Sequence, residues 1–326
     1  MEQGGRQTGF IVTGDVNLDV IIHGLEKLPD PGEEVFIPEA NLCLGGSAAN
    51  TAVALARLGE RVSLHGYVSD DYFGRYLRRL LREFGVDISL LQEASGHKTG
   101  LSIGLTSDRE RSFISCRGSN AAYRPPVPAA GTWNGFTHLH LCAVNWRDNL
   151  VEYGNLLRAA RAGGMGTSLD TGWFDGRAMS EKLLDLLPLV DVFFPNESEA
   201  GVLTGKKSWE ESLDVLVQRV PIAVITRGGR GVAVQKGSER VVLPAFPVSG
   251  VDAVGTGDAF AAGFLIAYRG KWDLRRATLW ASACGALAAT RCGGAQAAPT
   301  GDEVRAFLKE RAVMDDEGSG SPETGT

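Results

Sequence analysis

The chain has 326 residues, of which 44% are hydrophobic and 22% charged, with 33 Lys and Arg against 39 Asp and Glu for a formal net charge of -6. That composition is ordinary for a globular protein able to bury a large core, as one large domain or two small ones. The acidic balance removes any general basic footprint, so neither duplex nucleic acid nor an anionic membrane is an expected partner.

No run of about 18 apolar residues is present. Residues 1–12 lack the charged start, apolar stretch and small-residue cleavage site of a secretory leader, which makes a cytoplasmic location the expectation. Cys43, Cys116, Cys142, Cys284 and Cys292 form no CxxC pair and are odd in number, so they read as reduced thiols.

In chain order, short β-rich runs alternate with helical patterns. Residues 10–15, 62–68, 101–106, 137–142, 166–170, 189–196 and 223–229 read as strands, several apolar on both faces as buried parallel strands are. Residues 47–59, 72–85 and 155–164 carry apolar residues at spacings of three and four, with Gly59, Gly85 and Gly163 as helix-ending signals. This alternation predicts an α/β protein with a mainly parallel sheet, whose functional loops gather at the carboxyl ends of the strands. Two segments break the pattern. Residues 16–44 carry Pro29, Pro31 and Gly32 and read as extended, and residues 98–118 read as a hairpin around SDRE. Together they predict a small separate sheet acting as a lid. Residues 314–326 are polar and Gly/Ser-rich and read as a disordered tail.

The stretch DAVGTGDAFAAGF, residues 252–264, places Gly255, Thr256 and Gly257 before Asp258 at the mouth of an apolar helix. Glycines let the backbone turn sharply and leave bare amides at the helix start, an anion site suited to a phosphoryl group in transfer. The same amides and dipole favour an ionised Asp258, a carboxylate able to accept a hydroxyl proton. A plain helix N-terminus explains the residues equally well. The stretch is not a GxxxxGK[ST] phosphate loop. Neither is residues 204–208, where Ala200 replaces the first glycine and Lys207 the Ser or Thr.

Upstream, GGSAANTAVALARLG at 45–59 sets Gly45 and Gly46 before an Ala-rich helix, with Ser47 as a cap and Asn50 in the first turn. Asparagine is a poor helix former, which points to a use for its amide or to a second cap. Taken together, 252–264 and 45–59 resemble, in order and separation, the two signatures of the ribokinase-like (PfkB) carbohydrate kinase family. GDVNLDVI at 14–21, VSDDYFG at 68–74 and TG at 99–100 extend the resemblance over about residues 9–312. It implies a three-layer α-β-α sandwich with a small β lid, in a kinase domain spanning residues 1–313.

The resemblance implies ATP and magnesium as cofactors and a sugar or nucleoside as substrate. Asp258 becomes the catalytic base beside the 255–257 anion hole, and Asn17, Asp19, Gly45, Gly46 and Asn50 become the substrate contacts. In PNESEA at 195–200, Asn196 and Glu199 organise magnesium and phosphates through water, which agrees with the few carboxylates magnesium needs; a capping box is compatible with the same residues. Thr226, Gly228 and Gly231 in TRGGRG, which a glycine-bearing hairpin also explains, border the nucleotide, and Ser282 lies near the adenine. Asp252 and the carbonyl of Val254, with the 289–299 loop, enclose a monovalent cation, potassium. A homodimer through the lid is implied by analogy.

His138, His140 and Cys142 share one strand face and present three zinc-type ligands without a fourth, so a strand face against a helix or cleft is the favoured reading. Ribokinase itself has a sugar-binding glutamate near here, where this chain offers Cys142 and Ala143, a departure that argues against ribose as the natural substrate. Two other readings stand beside the sugar kinase. A nucleoside kinase would need an aromatic wall, for which Phe36, Phe113, Trp146 and Trp173 are candidates. A non-catalytic sugar or nucleotide sensor would keep the scaffold without the chemistry. An acidic or phosphorylated substrate would draw on Lys98, Arg109, Arg111, Arg117 and Arg147.

Overall fold

Strands that are apolar on both faces are stable only between two helical layers, and the core of this chain is divided in that way. The computed structural model describes residues 8–25, 27–106, 111–126, 133, 135–142, 146–172 and 180–311. In order these form β1 (Gly9–Thr13), β2 (Asn17–His23), β3 (Glu39–Gly45), α1 (Ser47–Arg57), β4 (Arg61–Val68), α2 (Tyr72–Glu83), β5 (Leu91–Glu93), β6 (Gly100–Thr106) and β7 (Arg111–Cys116). There follow β8 (His138–Cys142), α3 (Trp146–Ala162), β9 (Gly166–Asp170), α4 (Ser180–Leu184), β10 (Val192–Phe194), α5 (Glu197–Thr204) and α6 (Trp209–Leu216). The chain ends with β11 (Ile222–Thr226), β12 (Val232–Lys236), β13 (Glu239–Leu243), α7 (Thr256–Arg269), α8 (Leu274–Ala289) and α9 (Gly301–Glu310).

Nine strands form one sheet in the order β13-β12-β11-β10-β9-β8-β1-β4-β5, parallel from β5 to β11 with an antiparallel β12-β13 margin. Consecutive residues of β1 enter different cores. Phe10 and Val12 pack with α1, α7 and α8, and Ile11 packs on the opposite face with Tyr153, Leu156 and Leu157 of α3. Each such side chain contributes about 1.5–3 kcal/mol by leaving water. The three layers follow from that alternation.

The extended segments form the smaller sheet, ordered β3-β2-β6-β7. β2 runs antiparallel to β3 and parallel to β6, and β6 and β7 are an antiparallel pair whose connecting residues 107–110 lie outside the described residues, as does the proposed tail at 314–326. Gly59 and Gly85 end α1 and α2 at φ 94 and 79. After α3 the left-handed residue is Gly164 (φ 75) instead of Gly163, because Gly163 still donates its amide to Ala159 and prolongs the last turn.

The HLHLC face lies against neighbouring elements. His138 Nε2 and His140 Nδ1 meet the Ser168 hydroxyl at 2.8 and 2.7 Å, and burial pushes both imidazoles down to about 3. Their rings touch Phe10, Tyr268 of α7 and Phe194. Among the described residues no helix is long and apolar enough to cross a membrane.

Candidate active site

The site begins where α1 and α7 meet beyond the carboxyl end of β1. Small residues on both helices, among them Ala48, Ala49 and Ala52 against Ala259, Ala261 and Ala262, are buried in one core and let the axes approach closely. That approach brings two distant motifs into contact. Asp258 Oδ1 accepts from Ser47 Oγ at 2.7 Å and Oδ2 from Asn50 Nδ2 at 2.9 Å.

Ser47 therefore does not cap α1. The N-cap is Gly46, which has no side chain to offer, and Asp15 Oδ1 accepts from the Ala48 amide at 3.4 Å in its place. Gly46 is at φ 93, and a Cβ there would stand 2.6 Å from the Asp15 carbonyl oxygen. Asn50 has the use its poor helix propensity implied.

Burial, not the helix start, sets where Asp258 titrates. Burial raises its carboxyl to about 6, outweighing the Ser47 and Asn50 hydrogen bonds that lower it, and nearby Asp15 raises it further. It stays mostly ionised at pH 7 but is a stronger base than an exposed aspartate. The N-cap of α7 is Gly255, which adopts the left-handed region (φ 75) and offers no side-chain cap; the Thr256 amide donates to the Ala253 carbonyl at 3.4 Å.

Asp19 is 5% exposed, and burial with the neighbouring charges of Asp15, Asp258 and Asp252 lifts it to about 7. Gly45 pairs opposite Asn17, and a Cβ on it would fall 2.0–2.3 Å from the Asp19 carboxylate atoms. Asn17 is held from two sides: its Nδ2 donates to Asp15 Oδ2 at 3.2 Å, and its Oδ1 accepts from Asn120 Nδ2 at 2.7 Å. Asn120 also brackets Val16, accepting from its amide and donating to its carbonyl, each at 3.2 Å. Asn17, Asp19, Gly45, Gly46, Asn50 and Asp258 thus form one neighbourhood.

A second group lies at the ends of β9 and β10. Asn196 caps α5 by accepting from the Glu199 amide at 2.9 Å, and Glu199 Oε2 accepts from the Asn196 amide at 2.7 Å, a complete capping box. Burial raises Glu199, and the capping-box hydrogen bonds with Asn196 lower it. Asp170, which closes β9, accepts from the Gly172 amide at 2.7 Å and is held well above the usual carboxylate range by burial and by Glu199. Two carboxyls that repel each other inside the protein are a donor set short of positive charge, which suits a divalent cation.

A cavity of about 550 Å³ opens on the other side of the α7 start. Thr226, Gly228, Gly231 and Ser282 line it together with Thr256, Gly257 and Phe260, and Phe246 and Val248 supply apolar wall. The Ser282 hydroxyl is buried and has no hydrogen-bond partner among the described residues. The TRGGRG turn joins β11 to β12 antiparallel, as a hairpin. Asp252 is 3% exposed; its Oδ1 accepts from the Val254 amide at 2.9 Å and its Oδ2 from the Gly293 amide at 3.0 Å, drawing the 289–299 loop against the α7 start. A buried carboxylate in such a loop fits a monovalent cation.

Sequence reasoning missed Asp15, Asn120 and Asp170. Asp15 and Asp170 sit at or just past the carboxyl ends of strands, which is a usable signal; Asn120 lies in the short 3-10 turn Gly118–Ala122 and gave none. Phe36 and Phe113 are exposed, Lys98 and Arg117 are exposed beside the small sheet, and Ala143, Trp173, Arg109 and the side chains of Arg111, Trp146 and Arg147 lie outside the described residues.

A three-layer sandwich with a small second sheet thus carries a glycine-rich cavity and a carboxylate-rich neighbourhood on the two sides of the α7 start. The chain belongs to the pfkB family of carbohydrate kinases, whose description matches residues 8–301. It is 34% identical over 299 residues to the ATP-dependent ribose-1-phosphate kinase of Halopiger xanaduensis, covering 91% of this chain and 97% of that one. It is 29% identical over 313 residues to a fructokinase of Vibrio alginolyticus, covering 91% and 98%. An E. coli protein assigned as a ribokinase II, solved in complex with ATP and Mg2+, superposes with a TM-score of 0.81 at 22% identity over 93% of this chain and 99% of that one.

Proposed function

We propose that this sugar kinase transfers the γ-phosphoryl group of ATP to a hydroxyl of a sugar or sugar-derived small molecule, with Asp258 as the base. The observation that carries the reading is the position of Asp258. Its carboxylate is held by Ser47 and Asn50 on the substrate side, while its helix neighbours Thr256 and Gly257 line the 550 Å³ cavity on the other.

Asn17, Asp19 and Asn50 accept and donate hydrogen bonds to substrate hydroxyls, orienting one of them toward Asp258. Asp258 takes the hydroxyl proton as the new O–P bond forms, and the amides of residues 255–258 stabilise the charge on the transferring group. Thr226, Gly228, Gly231 and Ser282 hold the nucleotide. Glu199, with Asp170, would hold magnesium through water, and magnesium when bound neutralises charge on the phosphate oxygens. Asp252 and the Val254 carbonyl would hold potassium; exchanging potassium for sodium then lowers turnover, measured as ADP release. The small sheet closes over the sugar and excludes water.

Leu42, Phe113 and Ile114 are exposed on that sheet and support pairing of two copies through the lid, which light scattering of the purified chain would read as a dimer mass. The functional test is ADP release with ATP, magnesium and potassium across free sugars, sugar phosphates and nucleosides. The reading expects turnover with at least one sugar or sugar phosphate. A panel with no turnover, but with ligand-raised melting temperature, would replace it with the sensor reading.

A further inference from the structure

Of the five cysteines, two distant in sequence lie along one seam between β3 and the loop after α8. Cys43 lies on β3 and is 6% exposed; Cys292 is half-buried in the loop after α8. Cys43 Sγ stands 3.0 Å from where a Cβ on Gly293 would be, against the backbone next to Cys292. Cys292 Sγ lies 3.9 Å from the side-chain amide of Asn41, on the same face of β3 as Cys43, and 3.1 Å from His23 Nε2 on β2. Burial, and then the nearby Cys292 sulfur, push the Cys43 thiol up to about 12. One thiol is half-buried beside an imidazole and the other is almost fully buried along the same seam, which divides the pair into an attacking and a resolving sulfur.

We propose that Cys43 and Cys292 are a reversible oxidation site, at which hydrogen peroxide converts the two thiols to a disulfide fastening the small sheet to the loop that follows α8. His23 takes the Cys292 proton. The thiolate attacks one peroxide oxygen, the O–O bond breaks, an S–O bond forms, and the departing hydroxide takes a proton and leaves as water. Cys43 sulfur then attacks the sulfenic sulfur. The S–O bond breaks, the S–S bond forms, and hydroxide leaves as a second water with the Cys43 proton. Two thiols lose two electrons and one peroxide gains them.

The seam is placed to affect the cleft. Cys43 pairs directly opposite Asp19, and Gly293, next to Cys292, donates its amide to Asp252. A covalent tie here holds β3 to the loop behind the α7 start and opposes any movement of the small sheet over the substrate. Disulfides in reducing compartments are mostly transient and redox-sensing, which agrees with a pair that is reduced in the ground state.

The test treats the full chain with hydrogen peroxide and maps linked peptides without reductant. The expected result is a Cys43–Cys292 link, removed by dithiothreitol, absent from Cys292→Ser and from Cys43→Ser, and undiminished in Cys116→Ser. Turnover is expected to fall at least about fivefold on oxidation and to recover on reduction. Only that turnover arm rests on the kinase reading; the peptide map stands without it. Should Cys43→Ser not fold, Cys292→Ser alone decides the linkage. Oxidation of Cys292 without linkage to Cys43, or a linkage to Cys116 instead, overturns the proposal.

Discussion

The proposed nucleotide side is a cavity walled by glycine backbone and by small or apolar side chains, Gly228, Gly231, Ser282, Phe246 and Val248 among them. The proposed substrate side gathers Asp15, Asp19 and Asp258, and burial raises all three carboxyls, with Asp15 repelling Asp19 and Asp258 and Asp258 repelling Asp19. Shape and bare amides suit a large ligand whose recognition is spread over its surface. Titratable side chains suit a small polyhydroxyl ligand and a proton transfer. The difference teaches that substitutions on the two sides separate in the kinetics, the first acting on ATP and the second on the sugar and on pH.

The sharpest break is Asp19→Ala, expected to lower kcat/KM for the sugar by about 100-fold while the ATP KM moves less than about twofold, read from steady-state ADP release. Asp19→Asn separates charge from shape. The folded carboxyl titrates at about 7 against an ordinary value of 3.8, so protonation favours the folded state. That contribution is full below about pH 4 and is lost as pH rises through 7. Asp19→Asn is therefore expected to exceed the parent in stability by about 2–4 kcal/mol at pH 8, with the gap shrinking toward pH 4, in denaturant titrations. A pH-independent gap would remove the electrostatic account of this side.

On the nucleotide side, Ser282→Phe fills the cavity and is expected to raise the ATP KM about tenfold with the sugar KM unchanged. The smallest effect falls on Asn120, which touches no predicted ligand and acts by holding Asn17 and Val16. Asn120→Ala is expected to cost about 1–3 kcal/mol in stability and to raise the sugar KM a few-fold, because it leaves buried backbone and amide groups unpaired.

Most of the architecture was legible because it is written locally. The apolar runs of β1, β8 and β9 and the three- and four-residue spacing of α1 and α2 each carry their own period. The pairing of 16–44 with 98–118 was legible from turn residues, though their boundaries were not. The contact between the two motifs was hinted at where a residue broke a local rule, as Asn50 does inside a helix and Asp258 does before an apolar one.

What depends on long-range approach was not legible. Ser47 looked like a cap because its neighbours in sequence are helical, and only the packing of α1 on α7 turns it to Asp258. The carboxyl of Asp258 looked like a dipole-stabilised anion, and only burial beside Asp15 shows why it titrates near 6. Asn120 lies in a turn whose sequence has no period to read.

The central claim is that Asp258 takes the proton from the acceptor hydroxyl, and turnover of Asp258→Asn with the substrate found in the panel tests it most directly. The account predicts a kcat lowered by about 1,000-fold or more, with melting temperature and ATP affinity preserved and with the parent's kcat rising with pH through about 6. Turnover within about tenfold of the parent, or a parent kcat that is flat across pH 5 to 7, would contradict it.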